Sequence, residues 1–69
     1  MDWDRIAGDW KQYTGAVKEQ WGNLTHDDLT QIDGRRDRLI GRLQQVYNVD
    51  EAFAEREVST WEMSIHDSH

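Results

Sequence analysis

Trp3-Asp4-Arg5-Ile6-Ala7-Gly8-Asp9-Trp10-Lys11-Gln12-Tyr13-Thr14-Gly15-Ala16-Val17-Lys18-Glu19-Gln20-Trp21-Gly22 carries apolar side chains at 3, 6, 10, 13, 17 and 21. Spacings of three and four place all six on one stripe of a helix. Asp2 is suited to cap the start, and Gly22 to take the left-handed position just past the end. Gly8 and Gly15 interrupt the pattern, each about 0.8–1.0 kcal/mol worse than alanine inside a helix. Two readings stay open: the pair lets another helix approach closely, or the chain kinks around Gly8.

The five glycines extend this pattern along the chain, since Gly8, Gly15 and Gly22 are seven apart, as are Gly34 and Gly41. A shift of 26 lays Gly8 on Gly34, Gly15 on Gly41, and Gly22 on Asn48. Asparagine is the residue that best replaces glycine in a left-handed cap. The same shift matches Tyr13 with Leu39, Val17 with Leu43 and Trp21 with Tyr47, apolar on apolar. The chain therefore reads as two related helical halves.

After Gly22, Thr25 followed by Asp28 resembles a capping box with aspartate in the glutamate position. The short helix that it starts uses Leu29 and Ile32 and ends near Asp33-Gly34, a strong turn signal. Leu29, Ile32, Leu39 and Leu43 nearly share a stripe, which also fits one continuous helix; the Asp-Gly turn favours a break. A third helix spans about 35–47 with Leu39, Ile40, Leu43, Val46 and Tyr47 inward. The last begins at Asp50 as cap, with Glu51 in its first turn and Ala54, Val58 and Trp61 inward. Leu24 and Val49, each just before a cap, are matching staple residues. Beyond Glu62 the pattern lapses, and residues 63–69 are expected to fray. The expected architecture is one all-α domain over 1–69, ordered about 3–62. It is a small four-helix bundle of two pseudo-repeated halves, with SAM-domain-like orthogonal packing as one arrangement.

At 69 residues such a domain buries only about 60% of its unfolded surface. It has no cysteine, which excludes disulfides and thiolate metal sites. Four tryptophans, at 3, 10, 21 and 61, supply large buried areas instead. A net charge of −6 opposes non-specific nucleic-acid binding. No apolar run approaches the ~18 residues that a membrane span needs. The N-terminus lacks the basic flank and apolar stretch of a signal peptide, so the expected location is cytoplasmic.

Several groups invite a chemical reading. Arg35, Arg36, Arg38 and Arg42 oppose only Asp37 in the third helix. Two of them stand at its N-terminus, where the dipole disfavours cations by about 0.3–1 kcal/mol. They either face a polyanion such as nucleic acid or pair internally with Asp27, Asp28, Asp33 or the acidic last helix; internal pairing is the simpler reading. His66, Asp67 and His69 offer ligands for a divalent ion, but a frayed end cannot preorganise them, and no metal or cofactor is expected. Asp27 and Asp28 diverge by about 100° on a helix and serve the dipole rather than acid–base work. His26 faces solvent in a first turn. No nucleophile–base set or phosphate loop is present, so the chain is expected not to be an enzyme. The aromatic stripe reads as core before it reads as a stacking platform. Phe53 lies about 100° off the Ala54–Val58–Trp61 line. It is the candidate contact for a protein partner or for self-association, with Tyr13 or Trp3 half covered besides.

The stretches Trp3–Ile6, Gly8–Gln12, Lys18–Gly22 and Leu24-Thr25, then Gly34–Asp37 with Leu39–Gly41, and finally Trp61-Glu62 resemble the CsbD-like family in order and without a gap, over about 3–62. That resemblance implies a small helical bundle from a bacterium, induced in general or envelope stress, without catalytic residues, none being established for the family. Ala16, Asn23 and His26 stand where the family more often has lysine, lysine and aspartate, and Asn48 replaces its usual glycine. The first two departures remove basic charge from the first helix and weaken a nucleic-acid reading of that face.

Overall fold

The stripe that begins at Trp3 is helical, but it breaks once. The structure, a computed structural model, describes residues 3–67, with side chains through Ile65. Five helices follow one another: α1 (Trp3–Gly8), α2 (Trp10–Gln20), α3 (His26–Ile32), α4 (Arg36–Tyr47) and α5 (Glu51–Asp67). The single first helix expected from the stripe is two helices, because Asp9 leaves helical geometry at φ −111, ψ 33. Its N–H still donates to the Arg5 carbonyl at 3.2 Å, and its carbonyl accepts from Gln12 at 2.8 Å, so the chain bends without coming apart. The bend sends Trp3 across the molecule, where its indole N–H donates to the Gly34 carbonyl at 2.7 Å. The kink reading of Gly8 is thus the right one. A Cβ at Gly8 or Gly15 would meet nothing within 4 Å, so no helix closes on either. Asp2, the expected cap, lies outside the described residues.

Gly22 does not take the left-handed position expected of it. Trp21 ends α2 at φ −125, ψ 81, its N–H donating to the Val17 carbonyl. Among the described residues the left-handed positions are Asp33, Gly34 and Asn48. Asn48 therefore ends α4 as expected, while its counterpart Gly22 does not end α2 that way. The shift of 26 nonetheless carries α2 onto α4 to within one residue at the C-terminal end.

The capping box is complete: Asp28 N–H donates to Thr25 Oγ1 at 3.1 Å, and Thr25 N–H to Asp28 Oδ2 at 2.9 Å. Asp33 (φ 51) and Gly34 (φ 78) then turn the chain, so α3 and α4 are separate helices. Gly34 is required twice over, since a Cβ there would sit 3.1 Å from Ala7 Cα and 3.2 Å from Ala7 O.

α4 packs against both α3 and α5. Val17, Leu39, Leu43, Ala54 and Val58 meet Ile6, Ile32 and the staple residue Leu24 in one core. Trp61 closes it, with the rings of Trp3, Tyr13 and Trp21 at 6.2, 6.5 and 5.6 Å. The tryptophans at 10, 21 and 61 are buried, which removes their aromatic stripe as a platform for bases. Tyr47, expected inward, is 37% exposed. α5 continues through Asp67, past the point where the pattern lapses at Glu62, and Ile65 packs on the core from that extra turn.

Candidate functional site

Where the C-terminal ends of α2 and α4 meet the start of α5, the core comes to the surface. Asn48 reverses the chain, Val49 follows half-buried, and Asp50 caps α5 by accepting the Phe53 N–H on Oδ1 at 2.8 Å. Phe53 is thereby fixed in a first turn, where it is 49% exposed. Tyr47 is held from the other side, its hydroxyl accepting the Asn23 N–H at 3.1 Å. Between these two rings lies a groove of about 370 Å³, floored by Trp21, Leu43 and Ala54 and edged by Val49, Gln20 and Glu57. The Trp21 ring is held by packing and the Tyr47 hydroxyl by the Asn23 N–H, while the Asp50 cap fixes the backbone from which the Phe53 ring projects. Phe53 stands in the sequence as an off-stripe aromatic. Tyr47 and Val49 were missed as surface groups, because their spacing assigns them to the core and to a staple.

Arg35, just before α4, and Arg36, Arg38 and Arg42 within it do not form one patch. Arg36 faces α5, with Nε 2.9 Å from Glu62 Oε1 and Nη2 donating to Ser59 Oγ at 2.8 Å. Arg38 and Arg42 line a cleft of about 590 Å³ against α3 with Gln31 and Asp33. Arg38 Nη1 donates to the Gln31 carbonyl at 3.1 Å. Arg42 donates to Gln31 Oε1 and places Nε 3.5 Å from Asp28 Oδ1. The Thr25 backbone N–H holds the Asp28 carboxyl below its ordinary range; burial opposes this, while the Thr25 hydroxyl and the Arg42 guanidinium assist. Arg35 precedes α4 in extended geometry, exposed, and its side chain makes no hydrogen bond or ion pair among the described residues. The partners expected from the sequence are in place: Asp28 before the helix and Glu62 in the last one.

His26 is exposed, and Asp27 and Asp28 occupy the first turn of α3. No group of three His, Asp or Glu side chains suited to a metal ion occurs among the described residues. The tail ligands His66, Asp67 and His69 lie outside the described side chains. None of the described helices is long and apolar enough to cross a membrane.

These features define a class: a small all-helical domain with a tryptophan-closed core and one apolar groove at a helix junction. The CsbD-like family model matches residues 4–52, and the chain belongs to the CsbD-like family. A UPF0337 protein of Pectobacterium atrosepticum is 53% identical over 62 residues, covering 90% of each chain. The UPF0337 protein YjbJ of Escherichia coli strain K12 is 52% identical over the same length and coverage. A UPF0337 protein of Protochlamydia amoebophila is 47% identical over 57 residues, covering 83% of this chain and 86% of its own.

Proposed function

We propose that this CsbD-like chain is a single domain over 1–69 that serves the bacterial stress response in the cytoplasm, without catalysis, by binding other proteins. The observation that carries the reading is Phe53. It is half exposed, on a backbone held by the Asp50 cap and beside the hydrogen-bonded ring of Tyr47, in a chain that buries most of its other large apolar groups. An apolar surface exposed at the expense of solubility points to a contact made there. The same reading treats α1 and α2 as one bent arm of a four-helix bundle with crossed, SAM-domain-like packing; residual dipolar couplings between helices test that arrangement.

A photo-crosslinking residue at position 53, compared with one at exposed Thr30, tests the contact in stressed cells. Products specific to position 53 support it. Equal products at both positions, or none at 53, overturn it.

A second reading, polyanion binding, is favoured by the exposed Arg35, whose side chain makes no hydrogen bond or ion pair among the described residues, just before the helix that carries Arg38 and Arg42. It requires Arg38 and Arg42 to leave Gln31 and Asp28. Affinity for single-stranded nucleic acid should then fall steeply with salt, and R35A should flatten the slope. Amides that do not move at low salt remove this reading.

A further inference from the structure

The groove between Tyr47 and Phe53 also says what fills it, an inference that rests on the protein-contact reading. Its lining is apolar apart from Gln20 and a single charged side chain, Glu57. Glu57 follows Phe53 by one helical turn, so ring and carboxylate stand side by side on α5. Glu57 makes no hydrogen bond or ion pair among the described residues, whereas the nearby Asp50 is used as a cap. From Asp50 to Glu57 the chain carries four acids against the one base Arg56. The site is therefore an apolar cleft with an unneutralised negative charge at its rim.

A second copy of this chain fits it poorly. The exposed parts of Phe53 and Tyr47 offer roughly 200 Å² of apolar surface, so a second copy would have to set much of the acidic surface around them against itself to reach the roughly 800 Å² per partner of a stable interface. A two-fold contact through this face would also set Glu57 of one copy near Glu57 of the other, each copy carrying a net −6. A cleft of about 370 Å³ lies at the small end of the binding-cleft range and suits a few side chains, not a domain.

We propose that the groove takes a short basic amphipathic segment of another protein. One bulky apolar side chain sits between Tyr47 and Phe53, and a lysine or arginine one turn away meets Glu57. The carboxylate gives direction to the contact, and the rings supply most of its strength.

The test is an amide titration of the full labelled chain with a helical leucine–lysine peptide and its leucine–glutamate counterpart. The lysine peptide should move the amides of 47–57 and the Trp21 indole, leaving α3 in place. F53S should weaken binding roughly tenfold or more and E57Q about threefold, with the dispersion of the free spectra showing that both variants fold. Equal binding of both peptides in the groove overturns the basic-segment assignment and leaves the protein-contact reading standing. Shifts spread over the acidic surface, insensitive to F53S, overturn the groove as the site. No shifts at millimolar peptide, or shifts that track protein concentration alone, overturn the proposal in favour of no partner there or of self-association. Failure of the crosslink at position 53 in cells strikes the broader reading instead.

Discussion

Replacing Gly15 and Gly41 with alanine should stabilise the protein. Gly15 is the sixth residue of α2 and Gly41 the sixth of α4, so both lie in helix interiors. A Cβ added at either would meet nothing within 4 Å, so no packing penalty offsets the gain in helix propensity. Each change should contribute about 0.8–1.0 kcal/mol, and the two sites lie on different helices, so the double variant should gain about 2 kcal/mol. For a domain of this size 1 kcal/mol moves Tm by roughly 4–8 °C, which gives roughly 8–16 °C for the pair. Gly34→Ala is the opposing control. With φ at 78 and Ala7 Cα at 3.1 Å, it should cost about 1–3 kcal/mol, because the neighbour is backbone and cannot rotate away. Thermal and urea unfolding followed by circular dichroism reads all three. A lowered Tm for G15A or G41A refutes the reasoning, since it means that those faces are packed against something in solution. A stabilised G34A refutes the turn.

Other outcomes follow from the same geometry. T25A should lose about 1 kcal/mol through the missing cap, read as a lower urea midpoint. Because the folded protein holds Asp28 below its unfolded value of 3.8, its contribution is complete above that value and is lost as pH falls through the folded one. Urea midpoints taken from pH 6 down to pH 2 should therefore fall less in D28N than in the parent. W61A should cost about 3–5 kcal/mol, against a total of about 3–10 kcal/mol for a chain this long; a well-dispersed proton spectrum at 25 °C would contradict that. In a double-mutant cycle Arg36 and Glu62 should couple by about 0.5–1.5 kcal/mol at low salt. Arg42 and Asp28, 3.5 Å apart, should couple more weakly.

Local chemistry made much of this fold legible. The Thr25–Asp28 box, the Asp33-Gly34 turn and the Asn48 cap each rest on a few neighbouring residues, and each stands where its residue types place it. The break at Asp9 was legible only as one of two readings of Gly8, because Trp3, Ile6 and Trp10 keep helical spacing straight through it. The bend goes with a tertiary bond, from the Trp3 indole to the Gly34 carbonyl 31 positions away, which spacing along one helix does not reveal. Gly22 looked like a left-handed cap from its place just past the stripe, yet Trp21 already ends α2, with its ring 5.6 Å from that of Trp61. The extension of α5 was hidden for a similar reason: Ile65 finds its cover on the core rather than within its own helix. At the site, Phe53 could be read from one off-stripe angle. Tyr47 and Val49 could not, since spacing assigns a helix face but not where the neighbouring helix stops. The arginines were legible as a pairing problem, and α3 and α5 supply the partners.

The position of Trp61 has a consequence for how the chain comes into being. Trp3, Tyr13 and Trp21 are all made early, and the ring that they gather around belongs to the last helix, 58 positions after Trp3. At roughly 5–20 residues per second, the early rings are made several seconds before the Trp61 ring that closes the core over them. Contacts between rings this far apart in sequence form late, since the chain between them must close first.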